Sequence, residues 1–83
     1  MWYVYVLKSD KDSSLYVGSA KNVKERIESH NQEHNRSTKN KTPWRVLRIE
    51  EYSVYSFAVR REKFFKSGDG RRVLRNLLKI PNK

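Results

Sequence analysis

Trp2-Tyr3-Val4-Tyr5-Val6-Leu7, then Lys8-Ser9-Asp10-Lys11-Asp12-Ser13-Ser14, then Leu15-Tyr16-Val17-Gly18 is the stretch on which the fold turns. Two runs of β-branched and aromatic residues around a polar cluster describe a β-hairpin. A loop of two or four residues centred on Asp10-Lys11 sets Tyr5 opposite Tyr16 and Tyr3 opposite Gly18, because cross-strand partners share a face. One face then carries Val4, Val6, Leu15 and Val17. The other carries Tyr3, Tyr5, Tyr16 and Gly18, a hydroxyl-bearing surface with one bare backbone position.

Working outward, Asn22 three residues before Glu25 is a helix-start signal, and Val23 and Ile27 give the helix an apolar stripe that continues to about Glu33. The segment from His34 to Thr42 is polar and aperiodic, and Pro43 keeps helix out of the next segment. Trp44 to Tyr52 alternates as a third strand, with Leu47 and Ile49 on one face and Arg48 and Glu50 on the other. Ser56 is a candidate cap for a helix from Phe57 to Lys66, closed by Ser67-Gly68. Asp69 is a candidate cap for another from Gly70 to Ile80, ending before Pro81, with Val73, Leu74, Leu77 and Leu78 as its core stripe. The order β-β-α-β-α-α with local hairpin pairing predicts an α+β fold, a three-stranded antiparallel sheet flanked by helices.

Eighty-three residues, 36% hydrophobic and 34% charged, suffice for one domain over 1–83 with one modest core. The absence of Cys excludes a disulfide framework, a thiolate metal site and a Cys nucleophile, and fits a cytoplasmic protein. The apolar run Val4-Tyr5-Val6-Leu7, even with Trp2-Tyr3 before it, is far too short to span a bilayer, so no membrane partner is expected. Nineteen Lys and Arg against nine Asp and Glu leave a net charge of +10, which points to a polyanion and above all to nucleic acid.

Tyr3-Val4-Tyr5 and Tyr16-Val17-Gly18, followed by a helix with Arg26 and, one turn on, His30, resemble the two tripeptides and the helix Arg of the GIY-YIG nuclease domain. Ser37-Thr38-Lys39-Asn40 with Pro43-Trp44, and Arg61-Glu62-Lys63-Phe64-Phe65-Lys66-Ser67-Gly68, look like the small standalone bacterial members of that superfamily. The resemblance implies hydrolysis of DNA phosphodiester bonds by a metal-dependent endonuclease, in DNA repair or processing. It implies that Tyr5, Tyr16 and Arg26 surround the scissile phosphate and that Glu62 binds one divalent ion, Mg²⁺ or Mn²⁺. His30 stands where relatives carry His or Tyr. Two positions depart from the family pattern: Tyr3 replaces its first Gly, as is common in the small members, and Ser19 stands where repair relatives often carry Lys.

The residues support the same chemistry on their own account. Phosphodiester cleavage needs an activated nucleophile, a cation on the developing charge and a proton for the leaving oxygen. A tyrosine near an Arg or a metal-bound water can move a proton, and either Tyr5 or Tyr16 meets that description. Arg26 offers a planar fork that matches two phosphate oxygens. Glu62 falls within the apolar arc between Ala58 and Phe65, where a carboxylate calls for a partner: an i,i+4 salt bridge to Lys66, or a metal ion completed by water and phosphate. His30 and His34 have the spacing of a zinc helix, but no Cys or third His completes that set.

A non-catalytic nucleic-acid-binding module with the same fold is the rival reading, although a binder needs neither Glu62 nor paired tyrosines. An RNA-directed basic protein would share the composition and would favour exposed aromatic stacking surfaces. So small a domain has little area for sequence readout, so preference among DNA substrates is expected from a partner protein or from DNA shape.

Overall fold

The structure, a computed structural model, describes residues 1–32 and 40–79. The expected end of the first helix near Glu33, His34, the Ser37-Thr38-Lys39 part of the family-like motif, and Ile80 and Pro81 lie outside the described residues.

Three strands and three helices follow in the order expected: β1 Trp2–Ser9, β2 Leu15–Ala20, α1 Val23–Asn31, β3 Trp44–Tyr52, α2 Tyr55–Lys66 and α3 Gly68–Leu78. The sheet is antiparallel with strand order β2-β1-β3, so β1 is central and β2 and β3 are its two edges. The fold is α+β, with α1 on one face of the sheet and α2 and α3 on the other. No helix among the described residues is long and apolar enough to cross a membrane.

The hairpin register differs from the expected one by two residues. Tyr5 lies opposite Gly18, Leu7 opposite Tyr16 and Tyr3 opposite Ala20. The loop holds four residues, but it is centred on Lys11-Asp12, one position later than the composition suggested. The cause is Ser9, which is fully buried. Its hydroxyl donates to the Lys41 carbonyl at 2.5 Å and accepts the Lys11 and Asp12 amides at 3.1 and 3.3 Å. The Ser9 amide donates to the Ser14 carbonyl, and the Ser13 amide returns to Ser9, so strand pairing runs to Ser9 before the chain turns. Ser13 takes the left-handed conformation that closes the loop. A shift of two preserves the faces, because side chains alternate with a period of two. Tyr3, Tyr5, Tyr16 and Gly18 therefore still share one face, and Val4, Val6, Leu15 and Val17 the other.

Each face has its own core. Val4, Val6 and Val17 pack with Ala58 and Phe65 of α2 and Leu74 of α3. Tyr5, Leu7, Ala20 and Trp44 pack with Tyr16 of β2 and with Val23 and Ile27 of α1. On β3, register shifts between Val6 and Leu7, with Val6 facing Arg48 and Leu7 facing Val46. Leu47 is the extra residue in this bulge. Leu47 and Ile49, expected on one face of the strand, are both exposed, because the nine-residue α1 meets β3 at Trp44 and leaves these two uncovered.

The caps of the last two helices also differ from expectation. The helix α2 begins at Tyr55 after Val54, with no side-chain cap, rather than after Ser56. The helix α3 is capped by Ser67, whose hydroxyl accepts the Gly70 amide at 3.1 Å, and Asp69 lies in its first turn. Ser67 also donates to the Phe64 carbonyl at 2.6 Å, so one hydroxyl ends α2 and starts α3. At Gly70 the two helices meet backbone to backbone: an added Cβ would lie 1.5 Å from the Phe64 carbonyl oxygen. The buried line of α3 is Gly70 and Leu74, with Leu78 partly buried; Val73 and Leu77 are more than a third exposed. A helix that packs chiefly on α2 offers the core a narrow i, i+4 stripe, not the four-residue band the sequence suggested.

One polar network joins α2 to β3. Glu50, on the same face as Val4, accepts Arg61 at 2.8 Å, Arg48 at 2.8 Å and Tyr52 at 2.7 Å. Burial would raise its carboxyl, but these three donors outweigh it and hold the group down at about 2.

Candidate functional site

Gly18 is the point around which the tyrosine face is built. With no side chain on β2 at this position, the Tyr5 ring lies across the bare backbone: a Cβ on Gly18 would stand 2.5 Å from the Tyr5 hydroxyl and 3.1 Å from the edge of Tyr16. Tyr5 is 1% exposed, and its hydroxyl lies 3.1 Å from His30 Nε2. The Tyr5 and Tyr16 ring centroids are 6.2 Å apart, and that of Tyr16 is 4.7 Å from the His30 ring. Three of the expected residues thus form one aromatic cluster. Asn22 accounts for their approach: its side chain accepts the Glu25 amide at 3.1 Å and starts α1 immediately after β2. The positions Val23, Ile27 and His30 then face the sheet.

Electrostatics give the cluster a definite protonation state. Burial pushes the Tyr5 phenol up to about 12, with Tyr16 and Glu62 adding to the rise and Arg26 opposing it. Burial, aided by the Arg26 charge, pushes His30 below its ordinary value. At neutral pH the pair is therefore a protonated phenol against an uncharged imidazole. With the ring proton on Nδ1, Nε2 accepts from Tyr5.

Arg26 is exposed on α1, and its charge is felt by Tyr5, His30 and Glu62 alike. Glu62 comes from the opposite layer. Residue 19 faces α2, whereas residues 16 and 18 face α1, and Ser19 donates to Glu62 Oε1 at 2.6 Å. The second carboxylate oxygen accepts Lys66 Nζ at 2.7 Å, the salt bridge that the i,i+4 spacing offered. Burial alone would raise Glu62; the bonds from Lys66 and Ser19, with the Arg26 charge, lower it instead. Lys66 Nζ also lies 5.9 Å from the Tyr16 ring centroid. All five expected residues therefore gather along β2, an edge strand, with Tyr5, Tyr16, Arg26 and His30 on one side and Glu62 brought round from the other.

Two residues of this arrangement were not picked out as site residues from the sequence. Ser19 registered only as a departure from the family pattern, yet it is the hydrogen bond that turns Glu62 toward β2. Lys66 registered only as a salt-bridge partner, and its position over Tyr16 follows from strand order, which a helical wheel does not contain. Farther along β2, Arg71 and Arg75 of α3 line a groove with Tyr16 and Lys66, so the site is flanked by cations.

Among the described residues no three His, Cys, Asp or Glu side chains converge as a preformed metal centre. The donor set nevertheless fits a hard divalent ion of the Mg²⁺ type. Such an ion keeps most of its water and needs only one or two carboxylates together with substrate phosphate, and Glu62 is a charged carboxylate at the site's rim.

Comparison with known proteins agrees with the geometry. Residues 1–74 match the family model described as the GIY-YIG catalytic domain. UPF0213 proteins of Staphylococcus aureus, strains N315 and Mu50 among them, are 36% identical over 74 residues, covering 88% of this chain and 89% of theirs. The solution structure of a UPF0213 protein from Bacillus halodurans superimposes with a TM-score of 0.57 at 28% identity, covering 93% of this chain and 85% of that one. With the family model matched over nearly the whole sequence and the Tyr, Arg, His and Glu side chains gathered on one sheet edge, the chain belongs to the GIY-YIG catalytic domain family.

Proposed function

We propose that the protein is a single-domain, metal-dependent nuclease that hydrolyses phosphodiester bonds in DNA, with repair or processing of DNA in the cytoplasm as its setting. The observation that carries this reading is the Tyr5–His30 pair. A buried phenol that stays protonated and bonds to an uncharged imidazole is suited to relaying a proton. The Tyr5 oxygen takes a proton from the attacking water as its own passes to His30 Nε2, and the imidazolium this forms, disfavoured by burial and by Arg26 in the free protein, is offset by the negative charge of the bound phosphate. Tyr16, half-buried and outermost of the three rings, orients the phosphate. Arg26 sets its guanidinium against two phosphate oxygens and stabilises the charge that develops there. Glu62 would hold the divalent ion, which when bound supplies positive charge beside the leaving oxygen. Lys66, bonded to Glu62 Oε2, would offer its ammonium to phosphate were Glu62 to hold such an ion.

Purified protein incubated with supercoiled, branched and single-stranded DNA, with and without Mg²⁺ or Mn²⁺, tests the reading. Cleavage should require the ion. The variant Glu62→Gln keeps volume and loses charge, so cleavage should collapse while DNA binding without metal stays equal or tightens. Arg26→Ala should lose cleavage and part of the binding together. Binding should weaken with salt at a slope of about 0.9 in log K per phosphate contacted. Metal-independent binding with no cleavage of any substrate would replace the nuclease with a non-catalytic binding module. Cleavage by Glu62→Gln at the wild-type rate would remove Glu62 from the metal site.

A further inference from the structure

Beside the site, at the end of β2, Trp2 and Tyr55 pack as a tilted pair, with ring centroids 4.4 Å apart and an interplanar angle of 54°. Lys21 holds its ammonium 5.2 Å from the Trp2 ring. The two rings line one cleft with Ser19, Lys21, Glu25 and Arg26. Ser19 is the residue that binds Glu62, so this cleft opens directly from the proposed scissile-phosphate site. Tyr55 is 54% exposed although it is the first residue of α2, and Trp2 is only partly covered by the valine core. Trp44 is 4% exposed and buried on the other face of the sheet.

We infer that the Trp2–Tyr55 pair is a stacking site for an unpaired nucleobase next to the cleaved phosphate, and that the substrate is DNA with a single-stranded or unstacked nucleotide at that point. The inference rests on the nuclease reading for its location and deepens it. An aromatic pair exposed in a cleft with two cations and one carboxylate matches the two faces of a nucleotide: a π-surface for the base, Lys21 and Arg26 for the flanking phosphates. A base inside a duplex has both faces covered by its neighbours and offers no surface to Tyr55, so the platform discriminates between paired and unpaired DNA without reading sequence. That discrimination is what a domain too small for groove readout can supply.

Tryptophan fluorescence tests this without reference to cleavage. A short oligothymidylate, titrated in EDTA, should quench the emission of the wild type, and the quench should vanish in Trp2→Phe, where buried Trp44 alone emits. Tyr55→Ala should bind the oligothymidylate about tenfold more weakly, within the range for one lost base stack, and Tyr55→Phe should restore the wild-type affinity. Both variants should bind an abasic oligodeoxynucleotide of equal length, and a blunt duplex, as the wild type does. Thermal melting of Tyr55→Ala should fall only slightly, since Tyr55 is 54% exposed and what it loses is its contact with Trp2. Equal oligothymidylate affinity in Tyr55→Ala and wild type overturns the inference, as does an equal loss on the abasic strand. Quenching and the Tyr55 effect in a protein that cleaves nothing would leave the stacking site standing and overturn the nuclease reading alone.

Discussion

Gly18→Ala probes the packing beneath the tyrosines more directly than any substitution of the tyrosines themselves. The new methyl group would stand 2.5 Å from Tyr5 Oη, 2.6 Å from Cζ and 3.1 Å from Tyr16 Cε2. Ordinary contact begins near 3.4 Å, so the Tyr5 hydroxyl has to retreat by the difference from 2.5 Å, about 0.9 Å. A phenol that is 1% exposed and bonded to His30 has little room to do so. Overpacking of this kind costs about 1–3 kcal/mol of stability. The hydroxyl leaves His30, and a misplacement of about 1 Å at a reacting group costs on the order of a hundredfold in rate. Three measurements read the result. Urea unfolding should give a lower midpoint at unchanged slope. Spectrophotometric titration should show the tyrosine held at about 12 in the wild type moving down as its ring is forced toward water. Cleavage should fall about a hundredfold with DNA binding nearly intact. A variant with wild-type midpoint and wild-type cleavage would mean that Tyr5 does not lie over Gly18, and both the register and the relay would be wrong.

The two glycines of the α2–α3 junction should answer oppositely to alanine: Gly70→Ala, whose Cβ meets the Phe64 backbone at 1.5 Å, should lose about 3 kcal/mol or fail to fold, whereas Gly68→Ala, with nothing within 4 Å, should gain a few tenths to about 1 kcal/mol in denaturant unfolding. Between pH 10 and 12 the unfolded chain releases the Tyr5 proton and the folded chain keeps it, so stability falls as pH rises, towards a total of about 2.7 kcal/mol once pH passes 12. Comparison of Tyr5→Phe with wild type by alkaline urea titration should isolate that fall, and parallel curves would refute it. For Glu50 the sign reverses: the folded carboxyl is held at about 2 against an ordinary 4.5, so its contribution is full above 4.5 and is lost as pH falls through 2. Glu50→Gln should therefore destabilise at neutral pH, on the order of 2 kcal/mol after allowing for partial exposure of the arginines, and the difference from wild type should vanish in acid unfolding near pH 2.

The sequence carried the topology because alternation, the Asn22 start signal and Pro43 each act locally, and local signals need no knowledge of neighbours. Hairpin register was off by two because the turn is specified by Ser9 reaching Lys41, a contact between residues far apart in the chain. The face assignment survived because the error was even. The caps at Ser56 and Asp69 fit the composition, but α2 starts without a side-chain cap and α3 is capped by Ser67, whose hydroxyl accepts the Gly70 amide where Gly70 lies against the Phe64 backbone. Site residues were legible through the two tripeptides and the helix Arg. What could not be read was how Glu62, on the other side of the sheet, joins them, since that depends on β2 being an edge strand.

Consecutive residues of α2 do unlike things. Arg61 reaches Glu50 on one outer strand, and Glu62 reaches Ser19 on the other. Because β1 lies between them, the helix works as a cross-brace spanning the full width of the sheet, fastened at both ends by side chains one peptide apart. Rolling the helix in either direction slackens one fastening and compresses the other. The brace couples the reactive edge to the strand farthest from it, so damage at Glu50 should be felt as a misaimed carboxylate at β2. Engineering that resurfaces the β3 edge therefore has to spare Glu50, Arg48 and Tyr52, although none of them belongs to the tyrosine cluster on β2.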